Sequence, residues 1–140
     1  MASETEIANL NWLIDSFVKR IRGVLEAIVV SADGMLMAMS SGIGTAAGDQ
    51  LASVTAGLTS LAQGGGNCFG GGKVRQVIVE IDAGYMFFMA ISNGSSLAVV
   101  ASKDVEVAST GYEMTMLCKR VGAALTPALM TELGIASQAR

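Results

Sequence analysis

Apolar positions at the start of the chain recur at helical intervals. From Ser3 to Arg22 they are Ile7, Leu10, Ile14, Phe17, Val18 and Ile21, the stripe of an amphipathic helix. Ser3 and Glu6 have the spacing of a capping box at its start, and Gly23 ends it. Leu25 to Ser31 and Met35 to Ser40 read as two antiparallel strands, because Asp33-Gly34 between them supplies the positive φ of a tight hairpin. Leu51, Val54, Leu58 and Leu61 then mark one large-residue face of a second helix, from Thr45 to about Gln63. The glycines from Gly64 to Gly72 are expected to stop that helix and form a flexible connection. Three further strands follow, Lys73 to Ile81, Tyr85 to Ser92 and Ser96 to Ala101, joined by Asp82-Ala83-Gly84 and Asn93-Gly94-Ser95. Their apolar character is continuous over Met86 to Met89 and Leu97 to Val100, the pattern of strands covered on both faces. A long helix starting near Glu106 places Met114, Leu117, Cys118, Val121 and Leu125 in one stripe. Thr126 as N-cap and Pro127 in the first turn begin a short final helix that Gly134 closes.

The order α-β-β-α-β-β-β-α defines an α+β fold with helices on both faces of the sheet. At 140 residues the chain fits one domain over 1–140, with a core at about 24–133, an N-terminal helix over 1–22 and a mobile tail over 134–140. Apolar residues make up 51% and charged residues only 15%, so part of the surface is expected to be hidden by a partner. The longest apolar run, Met86 to Ile91, is far below the ~18 residues of a membrane span, which argues against membrane insertion. The acidic start lacks the features of a secretory signal, so a cytoplasmic location with reduced cysteines is expected. The net charge is −3 and the nine Lys and Arg residues are scattered, which disfavours nucleic acid as a partner.

Candidate chemistry is sparse. There is no histidine, which excludes His-dependent triads and His-ligated metals. Cys68 and Cys118 show no metal-ligand spacing, and Cys118 falls on an apolar helical stripe where a thiol packs as a small hydrophobe. The stretch from Gly64 to Lys73 resembles a phosphate loop in composition only. Asn67 stands where that motif requires glycine, Val74 follows the lysine, and the segment leaves a helix instead of opening one. Glu80 and Asp82 share a strand face and read as solvated charges. The pattern thus predicts no enzyme, no cofactor and no metal.

The second helix carries more information. With its leucines turned to the sheet, the opposite face would present Gly48, Asp49, Ala52, Thr55, Ala56, Thr59, Ser60 and Gln63, nearly free of charge. Such depletion marks an interface core, and the four-residue ridge of small side chains would let two helices approach closely. Asp49 and Gln63, at the ends of this face, are candidate partner contacts. Trp12 lies about 170° from the mean direction of the first helix's apolar stripe, given ~100° per residue. It either packs on the carboxyl-terminal segment at Leu129 or Leu133 or meets a partner. Met35, Met37, Met39, Met86 and Met89 fit a methionine-rich core, or the adaptable pocket of a small-molecule sensor in a bacterial signalling system, which is the alternative function.

The stretches at 29–42 (VVSADGMLMAMSSG), 49–62 (DQLASVTAGLTSLA), 74–80 (VRQVIVE), 84–92 (GYMFFMAIS), 97–101 (LAVVA), 112–117 (YEMTML) and 125–129 (LTPAL) resemble bacterial members of the roadblock, or dynein light chain, family. The resemblance implies a profilin-like domain: a five-stranded antiparallel sheet with two helices on one face and the second helix on the other. It also implies a homodimer whose second helices pack together through Ala52, Ala56, Thr59 and Ser60, while third strands pair edge to edge at Arg75, Val77 and Val79. Finally, it implies an adaptor or regulator that binds a small Ras-like GTPase and modulates its nucleotide cycle, with a sensor kinase of the same system as a further partner.

Overall fold

The computed structural model describes residues 4–138, with side chains for 4–133. The elements are α1 (Glu4–Arg20), β1 (Val24–Val30), β2 (Leu36–Met39), α2 (Thr45–Cys68), β3 (Gln76–Ile81), β4 (Gly84–Ala90), β5 (Ser96–Ser102), α3 (Val107–Ala124) and α4 (Pro127–Gln138). The expected capping residue Ser3 lies outside the described residues. All neighbouring strands are antiparallel, in the order β2-β1-β5-β4-β3, so the amino-terminal hairpin and the meander meet at the central pair β1 and β5. The β1–β2 turn forms as its sequence requires: Gly34 has φ 89°, its amide donates to the Ser31 carbonyl, and the Ser31 amide in turn donates to the Met35 carbonyl. Gly84 opens β4 where a Cβ would lie 2.0 Å from the Ala101 carbonyl oxygen, so only glycine lets β4 and β5 approach there.

Alternation along the strands divides the core in two. On one face Leu10, Ile14 and Phe17 of α1 and Met114, Leu117 and Val121 of α3 pack on Ala27, Val29, Phe87, Leu97 and Val99. On the other, α2 lies over Ile28, Val30, Leu36, Phe88 and Ala98. An ion pair from Arg20 to Glu113, 3.1 Å, ties α1 to α3 at the surface. No helix among the described residues is long and apolar enough to cross a membrane.

Two helix ends differ from the sequence expectation. The α2 helix does not stop before the glycines but runs through Gly64, Gly65 and Gly66 to Cys68. Intrinsic propensity opposes this, and one side chain compensates. The Gln63 amide donates 2.9 Å bonds to Asn67 Oδ1 and to the Gly72 carbonyl, and its Oε1 accepts the Val74 N–H at 2.9 Å, clasping the helix end to the chain that returns to β3. Likewise α4 continues past Gly134 to Gln138, so the expected tail is helical over 134–138. Thr126 caps it, its hydroxyl accepting the Leu129 N–H at 3.2 Å.

Candidate protein interface

The face of α2 that meets the sheet is rotated from the expected one: Leu51 and Leu58 pack on the core as expected, but at its flank, while Val54 and Leu61 do not. Gly48, Ala52 and Thr55 are buried against the sheet, Ala52 and Thr55 with no exposed surface at all. Bulk supplied by the sheet explains the rotation. Leu36, Ile28 and Phe88 project towards α2, and a Cβ on Gly48 would meet Leu36 Cδ2 at 3.0 Å, so small helix residues let the backbone sit close. Thr55 and Thr59 hide their hydroxyls by donating back to the Leu51 and Thr55 carbonyls, at 2.7 and 2.8 Å. Gly48, Ala52 and Thr55 are therefore unavailable to a second copy. Ala56 and Thr59 are half-buried, and Ser60 is exposed on the flank.

What α2 presents outward is a different stripe. Gln50, Val54, Gly57, Leu61, Gly64 and Cys68 alternate in steps of four and three, the spacing of a coiled-coil seam, and all are exposed. Leu61 is 77% exposed and Val54 43%. Periodicity alone finds these two residues but turns them to the wrong side.

Beside α2 runs the sheet edge formed by β3. Val77 and Val79 are half-buried and pack on the α2 side of the sheet, while Ile78, on the other side, is 42% exposed. Among the described residues only β4 pairs with this strand. Arg75 precedes β3, and its carbonyl accepts the Ala90 N–H at 3.0 Å. Edge strand and helix stripe are thus each left uncovered by the other described elements.

The remaining candidates lie apart. Gln63 is committed to the clasp at the end of α2, and Asp49 is exposed in the helix's first turns. Trp12 is 63% exposed and lines a shallow hollow with Asn11, Asp15, Met39 and Ser41, near β2. Leu129 and Leu133 are buried in the main core beneath α1 and α3 and leave Trp12 uncovered. Glu80 and Asp82 are exposed at the far end of β3. Cys118 is buried, and desolvation pushes its thiol up to about 12, so it stays a neutral packing group. The methionines do not converge on one pocket: Met37 and Met89 join the α1–α3 core, Met39 and Met86 the core under α2.

Comparison with known proteins agrees with this architecture. The sequence profile of the Roadblock/LC7 domain matches residues 10–101. A Roadblock/LC7 domain from Streptomyces avermitilis is 38% identical, superposes with a TM-score of 0.76, and is aligned over 79% of this chain and 92% of its own. MglB of Myxococcus xanthus shares the fold at 15% identity, with a TM-score of 0.75 over 82% of this chain and 93% of that one. The gliding protein MglB of Thermus thermophilus does so at 9% identity, with a TM-score of 0.77 over 89% and 93%. No curated protein matches the chain.

Proposed function

The chain belongs to the Roadblock/LC7 domain family, and from that membership we propose that it is a non-enzymatic homodimeric adaptor that binds a small Ras-like GTPase and modulates its nucleotide cycle. The observation that carries the dimer is the β3 edge, paired among the described residues only with β4, together with the exposed outward stripe of α2. An open edge invites strand pairing, and an exposed apolar seam invites a second helix. Both needs are met at once if two copies meet across a two-fold axis.

Symmetry restricts the strand register. In a two-fold antiparallel pair one residue must face its own copy, because facing residues share a side of the sheet. Centring the six residues of β3 on Ile78 brings Val77 opposite the partner's Val79 and Gln76 opposite the partner's Glu80. On α2 the exposed glycines at 57 and 64 let the seams approach closely around Val54 and Leu61. The GTPase reading comes from the family, and a dimeric platform of this kind requires no catalytic group of its own. A sensor kinase of the same system is the further partner this reading includes.

Light scattering on the purified chain tests the dimer: twice the chain mass at micromolar concentration is expected. Pull-down with a Ras-like GTPase from the same organism, loaded with GDP or a GTP analogue, tests the adaptor role. Association that depends on the nucleotide is the expected result, and equal absence of binding in both states refutes it.

A further inference from the structure

A second surface lies where the chain enters β3. Lys73 and Arg75 approach the sheet there, and Lys119 projects from the later part of α3. Between them opens a groove of about 730 Å³, within the roughly 300–1,000 Å³ of ligand-sized clefts. Its floor is apolar, made by Met89, Ile91 and the neutral thiol of Cys118. The Thr115 hydroxyl, 3.6 Å from Met89 Sδ, fixes α3 over β4 at this point.

The charge distribution is one-sided. Lys73, Arg75 and Lys119 all line the groove and no carboxylate does. The ion pairs of the described residues, Lys19 with Asp15 and Arg20 with Glu113, engage none of these three. In a chain of net charge −3, three unpaired cations around one groove concentrate positive potential against an acidic background.

We propose that this groove binds an acidic peptide segment of a partner protein, with carboxylates at the rim against Lys73, Arg75 and Lys119 and an apolar side chain on the floor between them. A free phosphate would use the rim and gain nothing from Met89 and Ile91. A segment that alternates acidic and apolar residues uses both, which gives attraction at long range and burial at contact. The groove adjoins the β3 edge through Arg75, but the inference uses neither the α2 seam nor a paired strand, so it does not rest on the GTPase or dimer readings.

Fluorescence anisotropy with a labelled Glu-Glu-Phe-Glu-Glu peptide is the test. Saturable binding is expected at low salt, weakening as screening rises over the ~10 Å Debye length of 0.1 M salt. Combined Lys73→Gln, Arg75→Gln and Lys119→Gln should weaken it by at least about tenfold. All three side chains are exposed, so circular dichroism should show an unchanged fold. Replacing the peptide's phenylalanine by glycine should also weaken binding. Absence of binding, or equal binding by the triple variant, overturns the proposal. So does a glycine peptide that binds as well and is displaced by millimolar inorganic phosphate, which would make this a simple anion site. Repeating the titration on a Leu61→Asp variant separates it from the dimer: binding retained there keeps the two readings independent.

Discussion

The sheet has two edges, and the chain treats them differently. At the β2 edge the strand is four residues long, and α1 lies beside it. Asn11 Oδ1 accepts the Met39 N–H at 3.3 Å, and one turn later Asp15 Oδ1 accepts both the N–H and the hydroxyl of Ser41, at 3.0 and 2.8 Å. Those are the amides that β2 turns away from β1, since the Ser40 amide between them donates to the Ala27 carbonyl. At the β3 edge the strand is six residues long and rich in valine and isoleucine. Among the described residues no side chain bonds its outer amides. A strand edge is a template for another strand unless something consumes its donors. One edge is closed by two polar side chains of a helix, and the other, among the described residues, is not. In the proposed dimer this difference turns an open sheet, which could polymerise through both sides, into a unit that pairs once.

Breaking the open edge should have the largest effect. Ile78→Lys sets two like charges directly opposite each other at the centre of the proposed strand pair. The dimer should weaken by about 3 kcal/mol, roughly a hundredfold in Kd. Sedimentation equilibrium would read this directly. Because Ile78 is partly exposed in the single chain, the monomer's own stability should change by only ~0.5 kcal/mol. A dimer that survives would show that β3 is not its contact.

The next effect concerns which side of α2 is available to a partner. Ala52→Leu adds bulk where Ala52 is fully buried over Ile28 and Phe88, and overpacking of that kind costs about 1–3 kcal/mol. A urea midpoint shifted in the monomer, with seam residues Val54 and Leu61 still free to associate, is the expected result. A melting curve that does not move would mean that Ala52 faces outward after all.

That rotation of α2 also shows where the sequence is legible. Strand order along the chain, the hairpin at Asp33-Gly34, the stripes of α1 and α3 and the burial of Cys118 follow from period, turn chemistry and size, and all are present. The facing of α2 is not a local property. Periodicity assigns large residues to the core because they usually fill it, but here Leu36, Ile28 and Phe88 fill the space from the sheet side, leaving Gly48, Ala52 and Thr55 at the centre of the contact and Leu51 and Leu58 at its flank. The end of α2 is hidden for a similar reason, since Gln63 reaches across nine and eleven residues to hold Gly72 and Val74. The pairing of Asn11 and Asp15 with β2 is equally beyond reach: nothing in the spacing of α1 says that its polar face borders a strand edge.

The closed edge can be opened in steps. Asn11→Ala leaves the Met39 amide without its acceptor, and loss of one such bond costs about 0.5–1.5 kcal/mol. Self-association should also rise in the Ile78→Lys background, where β2 would become the more inviting edge. Size-exclusion chromatography at increasing concentration would show it. If that variant stays monomeric, shielding by α1 itself suffices and the side-chain bond is secondary.

The smallest effect is a pH dependence at Asp15. The Lys19 ammonium, 2.8 Å away, and the two bonds from Ser41 hold its carboxyl near about 2, below the ordinary carboxylate range of about 3.9. A group whose pKa is depressed on folding contributes stability that is complete above its unfolded pKa and is lost as pH falls through the folded one. Wild type should therefore lose stability between about pH 4 and pH 2, and Asp15→Asn should flatten that part of the curve. Lys19 is largely exposed, so added salt should shrink the effect, while the Ser41 bonds persist. Urea midpoints of both proteins from pH 2 to 7 measure it. Parallel curves would mean that Asp15 titrates as it does in the unfolded chain and that Ser41 is not held as described, reopening the β2 edge to comparison with β3.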